Sequence, residues 1–257
     1  MNVSDLELAP AQQPTRTGKT RPPRRFDKTQ LRAEHHGKYV HRDYAAHFFR
    51  WGWVSRHVKA GARVLDVGCG QDLPLMWVFN GLRSNLPSYY LGVDLNKLPE
   101  ITSPKWAKVI GGFSFVDRYE ELGETEKFDV ITNFEVIEHV TGPDQKTLLK
   151  GFYHWLKDGS FLYLSTPVFN GMAAINHVKE LTVQELQDLV VEAGFEVVKR
   201  YGTFASANDI RKVASPRDLA VYEELHDFYG GDVLSTFLAP LYPDASRNNL
   251  WVLRKRT

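Results

Sequence analysis

"VLDVGCGQD", Val64 to Asp72, is an apolar run that ends in an acid, then Gly-Cys-Gly, then a second acid. A short β-branched run that stops at glycine reads as a strand entering a tight turn. Such turns serve nucleotide-like ligands, because a residue without Cβ lets the backbone approach closely. The commonest version spaces three glycines as G-x-G-x-x-G. Here Gly68 and Gly70 are followed by Leu73 at the third place.

Further strands follow at regular intervals. "RVLDV" (63–67), "YYLGVD" (89–94), "AKVIG" (107–111), "FDVITN" (128–133) and "FLYLS" (161–165) are short, rich in β-branched or aromatic residues, and end in turn chemistry. Helical patterns separate the later ones: 143–157, with Pro143 near its start, and a segment opened by the capping box Thr182-Val183-Gln184-Glu185 that stops at Gly194. Two more strands, 195–202 and 249–255, flank helical patterns at 216–229 and 234–238. Alternation of this kind predicts an α/β, Rossmann-like, doubly wound sheet of seven mostly parallel strands. Its expected covers are an N-terminal helical cap (31–60), built on an amphipathic helix over 36–58, and a C-terminal helical lid (203–247).

The 257-residue chain has a net charge of +1, so no global electrostatic argument for nucleic acid or a membrane follows. No run approaches the length of a membrane span. The single cysteine, Cys69, excludes an intramolecular disulfide and a cysteine-based metal site, and fits a reducing, cytoplasmic setting. Residues 1–30 read as a disordered basic tail, with four prolines and Lys19, Arg21, Arg24 and Arg25; nucleic acid is the partner such a tail would meet. Gly18-Lys19-Thr20 is not a phosphate loop, because Gln13 stands where the first glycine belongs. Five of the nine histidines crowd the cap region, where plain helix-face positions explain them. The sequence carries no signal for an oligomeric state.

In a doubly wound sheet, ligands sit beyond the carboxyl ends of the strands. That places Asp66 and the Gly68–Gly70 turn at the ligand, with turn amides expected to favour an anionic group. Asp94, at the end of the second strand, is placed to accept hydrogen bonds from two ribose hydroxyls. Asp66 and Asp72 would flank a pyrophosphate with like charge, so a cationic ligand suits the turn better than NAD. An NAD-dependent oxidoreductase is the competing enzyme class, and a noncatalytic cofactor-sensing or nucleic-acid module the third.

Taken together, "VLDVGCG", "GVDLN" and "FDVITNFEVIEHV" resemble the class I S-adenosylmethionine-dependent methyltransferases over roughly residues 60–200. The resemblance implies S-adenosylmethionine as cofactor. It places Asp66, Gly68, Cys69 and Gly70 at the methionine end, and Asp94 on the ribose, with Leu95 beside the adenine. Phe113 to Phe115 would lie along the adenine, with no obvious acid in that loop, and Asn133 and Phe134 would border the sulfur. Gln71-Asp72 departs from the small pair that often follows "GCG" in the family.

"EVIEHV" puts Glu135, Glu138 and His139 at i, i+3 and i+4, one face if the segment is helical. With "STP" and "NHVKELT" downstream, it resembles ubiquinone-type O-methyltransferases, which are small-molecule enzymes. It also resembles small-RNA 3′-end methyltransferases, which bind a divalent cation. The resemblance implies Glu135, His139 and His177 as catalytic residues and admits a divalent ion such as Mg2+ on Glu135, Glu138, His139 and His177. Val178 and Lys179 replace the second histidine of the RNA branch. Asn133-Phe134-Glu135-Val136 lacks the proline pair of DNA amino-methylating enzymes, and Cys69 sits in the cofactor turn rather than at a cytosine. The expected function is O- or N-methylation of a small-molecule acceptor, with a nucleic acid or modified nucleotide as the alternative. Tyr39, Tyr44, Trp51, Trp53, Phe228 and Tyr229 are the aromatic residues of the covers that would enclose it.

Overall fold

The computed structural model describes residues 42–82, 86–100 and 102–257. The basic tail, the Gly18 triplet and the first part of the cap, Tyr39 included, lie outside these residues. The described chain begins with helix α1 (Arg42–His57). The sheet strands are β1 (Arg63–Val67), β2 (Tyr89–Asp94), β3 (Ala107–Gly111), β4 (Phe128–Phe134), β5 (Leu156–Pro167), β6 (Phe195–Phe204) and β7 (Asn248–Lys255). They lie in the order β3-β2-β1-β4-β5-β7-β6, with only β7 antiparallel to its neighbours. The sequence expectation of a seven-stranded, mostly parallel, Rossmann-like sheet agrees with this topology.

Helices cover both faces, so the central strands are buried on both sides and read as near-continuous apolar runs. Val64, Tyr90, Val130, Tyr163 and Val252 point to the face held by α1 and by α2 (Pro74–Gly81). Leu65, Leu91, Ile131, Leu162 and Leu253 point to the opposite face. There they meet α4 (Gly142–Trp155) and α5 (Val183–Glu192), while a short α3 (Phe115–Arg118) adds Phe115. The capping box at α5 forms as expected, with Thr182 and Glu185 each receiving the other's backbone N–H.

Two boundaries move. The Asp158-Gly159 turn signal does not separate helix from strand: α4 ends at Trp155 and β5 starts at Leu156. The glycine, at φ 72°, is absorbed where the β4–β5 register shifts between Phe128 and Val130. Between β6 and β7 the chain forms α6 (Ala207–Val213), which the periodicity did not single out, then α7 (Pro216–Tyr229) and α8 (Gly231–Leu238). α8 packs on α1. No helix among the described residues is long and apolar enough to cross a membrane.

Candidate active site

β1 and β2 deliver the first half of the site. Gly68 (φ 79°) and Gly70 (φ 72°) both occupy the left-handed region that favours glycine. A Cβ at Gly68 would also collide with the Val136 side chain. Leu73, where a third glycine is missing, itself takes a left-handed φ of 48° while fully buried. The helix begins at that point in spite of the departure at Gln71-Asp72.

The turn corrects one expectation. Its amides are not free for an anion: Gly68 and Cys69 N–H both donate to Val93 O (2.8 and 3.2 Å), and Gly70 N–H donates to Asp94 Oδ2 (2.9 Å). With those three donors spent inside the protein, the Gly68–Gly70 amides do not compensate a pyrophosphate. Asp94 thus ties β2 to the turn, and its Oδ1 accepts from Asn96 N–H (2.8 Å). Asp66 is buried beneath the turn, accepting from Tyr90 Oη (2.6 Å) and Thr132 Oγ1 (2.7 Å). Burial pushes its pKa up to about 6, against the lowering effect of those two hydrogen bonds; the Asp94 charge adds to the rise. Burial likewise raises the Cys69 thiol, with Asp66 and Asp94 adding to it, so Cys69 is a packed neutral group.

A pKa raised on folding stabilises the protein fully below the unfolded value and loses that contribution as the pH climbs through the folded one. Asp66→Asn removes this ionisation. Relative to the wild type, the variant therefore gains up to about 3 kcal/mol between pH 4 and 7.5. Denaturant melts of both proteins at the two pH values measure that change, whatever the constant cost of the altered hydrogen bonds.

β4 and the following turn supply the second half. The expected helical face of Glu135, Glu138 and His139 does not form. Glu135 adopts a left-handed φ of 57°, and only Ile137–His139 makes a single 3₁₀ turn. Glu135 is instead pinned by three elements: Oε1 accepts from Arg50 Nη1 of α1 (3.2 Å) and Ser165 Oγ of β5 (2.7 Å), and Oε2 accepts from Asn248 Nδ2 of β7 (2.7 Å). A non-glycine residue at positive φ costs on the order of 1 kcal/mol and persists where its surroundings over-determine it.

Glu138 turns the other way, almost fully buried, with Oε2 accepting from Thr166 Oγ1 (3.0 Å) and Oε1 lacking a hydrogen-bond partner. Burial, with the Glu135 charge second, pushes its pKa up to about 8. Its carbonyl accepts from Val178 and Lys179 N–H, which brings His177 alongside. Glu138, His139 and His177 each offer a ligand atom within 4.8 Å of the others. His139 Nδ1 faces Asn176 O (3.1 Å) and His177 Nδ1 faces Glu180 Oε1 (2.5 Å). Both partners accept, so each Nδ1 supplies the hydrogen and each Nε2 is the ring atom left to face an ion. That arrangement, beside an orphaned buried carboxylate oxygen, fits a divalent metal ion. Glu135, committed to three donors, stands outside the group.

Three cavities meet here. One of about 590 Å³ runs along Val67, Gly68, Asp94, Leu95, Phe113 to Asp117, and His139. A second, of about 370 Å³, is lined by Asp66, Cys69, Asp72, Phe134 and, from the cap, His47, Arg50 and Trp51. A third, of about 590 Å³, lies between α1, the 167–180 segment and Asn248, with His177 and Glu180 in its wall. Glu135 lines all three.

Several expected residues are placed elsewhere. Asn133 is buried, donates to Val67 O (3.0 Å), and lines none of these cavities; it ties β4 to β1 behind the site. Tyr44 is buried in the core, and Trp53 stacks on His57. Phe228 and Tyr229 face solvent rather than enclosing a site. Sequence reading missed Asp117, the acid in the short α3 that follows β3, although Ser114-x-x-Asp117 is a helix-start pattern and Ser114 does cap α3. It also missed Arg50, Ser165 and Asn248.

Comparison with known proteins accords with this geometry. The chain matches the methyltransferase domain family over residues 35–200, well over half its length. The ubiquinone biosynthesis O-methyltransferase of Pseudomonas fluorescens is 29% identical over 123 residues, 46% of this chain and 50% of that protein. The chain spans about half the length, or less, of the curated relatives it matches. A SAM-dependent methyltransferase from Archaeoglobus fulgidus has the same fold, with a TM-score of 0.57 at 17% identity over 90% of this chain and 100% of that one. So does the 1,6-didemethyltoxoflavin-N1-methyltransferase of Burkholderia thailandensis, solved with 1,6-didemethyltoxoflavin and S-adenosylhomocysteine. Its TM-score is 0.53 at 16% identity over 88% and 84% of the two chains. By family match this chain belongs to the methyltransferase domain family, and it has the fold of class I S-adenosylmethionine-dependent methyltransferases.

Proposed function

We propose that the chain transfers the methyl group of S-adenosylmethionine to an oxygen or nitrogen of a small-molecule acceptor. The observation that carries this reading is Glu135, a strained and triply held carboxylate at the meeting point of three cavities. Asp94 holds the ribose hydroxyls, and Leu95 with the 113–117 loop borders the adenine. Asp66, with Gly68, Cys69 and Gly70, faces the methionine end, and Phe134 borders the sulfur. Asn133 acts through Val67. The third cavity takes the acceptor.

Bound S-adenosylmethionine supplies an electrophilic methyl carbon whose bond to sulfur breaks as the acceptor's bond forms, leaving a neutral thioether. Alignment of the acceptor against that carbon accounts for much of the rate. Three of the lone-pair directions of the Glu135 carboxylate are occupied, and the remaining one accepts the proton that the nucleophile loses. The polar wall of the third cavity suits an acceptor that offers hydrogen-bonding groups.

Titration calorimetry with S-adenosylhomocysteine and with NAD tests the cofactor. Labelled-methyl transfer across phenols, catechols, amines and oligonucleotides then tests the acceptor. Binding to S-adenosylhomocysteine with silence toward NAD is expected; the reverse overturns the reading.

The orphaned Glu138 oxygen favours a second element, a divalent cation such as Mg2+ held by Glu138, His139 and His177. Bound there, it would ease removal of the proton from an acceptor hydroxyl. Since Glu138 must give up its proton to bind an ion and burial holds its pKa high, affinity should rise with pH through neutrality and level off once that carboxyl is ionised. Adding Co2+ to chelated protein is expected to give a visible absorption band that His177→Ala abolishes. No band, together with turnover unchanged by chelation, counts the ion out.

A further inference from the structure

Arg50 is only 4% exposed, although it sits on the cap helix. Burying a guanidinium with a carboxylate gains little net stability, because desolvation offsets the attraction. The pairing with Glu135 therefore calls for a role besides holding the fold together. Arg50 Nη1 reaches Glu135, and Nη2 lies 2.7 Å from His47 Nδ1, one helical turn away. Arginine has no acceptor, so His47 receives this bond as a neutral ring with its proton on Nε2. Burial first, and the Arg50 charge second, hold the His47 pKa down at about 2, so the ring stays neutral at every working pH. His47 stacks on Trp51, with centroids 4.8 Å apart and planes 17° from parallel. The stack fixes the ring that fixes the guanidinium. Both His47 and Arg50 line the second and third cavities, on either side of Glu135.

We propose that the His47–Arg50 pair of α1 positions the Glu135 carboxylate at the point of methyl transfer, so that the cap contributes to the active site rather than only covering it. Arg50 is the one cation among Glu135's three side-chain donors; Ser165 and Asn248 are neutral. Thr203 Oγ1 donates to Asn248 Oδ1 (2.6 Å) and orients that amide in turn. Arg50 and His47 are positioning residues here, acting through Glu135. The inference rests on the methyl-transfer reading for its consequence, but its geometry can be tested without an acceptor.

The experiment is a pair of crystal structures of Arg50→Met, with and without S-adenosylhomocysteine, beside the wild type. The Glu135 carboxylate is expected to leave the junction of the three cavities in both. His47→Phe, which keeps the ring stack and removes the acceptor, should displace the guanidinium and shift Glu135 in the same direction. On whichever acceptor the wild type methylates, Arg50→Met should lower kcat by about tenfold or more, with KM for S-adenosylmethionine within about twofold, because alignment rather than binding is lost. A merely structural arginine would instead lower the melting temperature and leave kcat of the folded fraction unchanged. Arg50→Gln, which removes the charge and keeps a polar side chain, carries the test if the methionine variant does not fold. A Glu135 carboxylate that keeps its wild-type place in the folded variants overturns the proposal. Failure of the wild type to bind S-adenosylhomocysteine would overturn the functional reading instead, while the ligand-free structures still judge the positioning.

Discussion

Glu135→Gln lowers kcat by roughly 10²- to 10⁴-fold, the range for loss of a positioned proton acceptor, and leaves S-adenosylhomocysteine affinity nearly unchanged. Glutamine keeps the shape and one oxygen, so with that oxygen at the Oε1 place both Ser165 and Arg50 retain their acceptor and only Asn248 loses one, but the amide cannot take up the nucleophile's proton. Glutamine also keeps the left-handed backbone strain at φ 57°, whereas Glu135→Gly relieves it. The glycine variant loses about 1 kcal/mol of strain but leaves the Arg50, Ser165 and Asn248 donors without their acceptor, so it should be less stable than the glutamine variant while being equally inactive. Single-turnover rates with bound cofactor, set beside thermal melts, separate the two effects. A glutamine variant with near-wild-type kcat would assign proton removal to another group.

The second large effect is on binding. Asp94→Ala weakens S-adenosylhomocysteine by about 10- to 100-fold, because hydrogen bonds to a charged acceptor contribute about 1.5–3 kcal/mol. Two losses combine in this variant. On the proposed cofactor placement the ribose hydroxyls lose their carboxylate, and Gly70 N–H loses the Oδ2 that holds the turn against β2. Asp94→Asn keeps an oxygen for Gly70 or for the ribose, though not the charge, and should fall between alanine and wild type. Titration calorimetry reads both. Unaltered affinity in the alanine variant would remove Asp94 from the cofactor site.

Most of the fold was legible in the chain. Short β-branched or aromatic runs ending in turn chemistry located the strands, and Thr182-x-x-Glu185 located the start of α5. These signals survive because they are local: a buried strand must be apolar, and a helix N-terminus must cap its orphan amides. The 203–247 segment was less legible. α6 is only seven residues long, too short for periodicity to mark.

The candidate site divides in a similar way. Asp66, the two glycines and Asp94 stand at strand ends, and the parallel sheet brings strand ends together wherever the strands themselves are recognised. Glu135, Glu138 and His139 were visible as a group but misread in arrangement. Helical spacing assigned them one face, whereas the positive φ at Glu135 sends its carboxylate toward α1, β5 and β7 and leaves Glu138 with the histidines. Ser165 and Thr166 were legible only as the "STP" motif, with no role attached, yet each holds one of the two glutamates.

From residue order came the sheet, the cofactor turn and the family. Each rests on a pattern confined to a few neighbouring positions. From packing came the roles: an arginine 85 positions upstream and an asparagine 113 positions downstream converge on one carboxylate. No periodicity links such distant residues, because only the closing of β7 against β5 and of α1 over the strand ends brings their side chains within bonding distance.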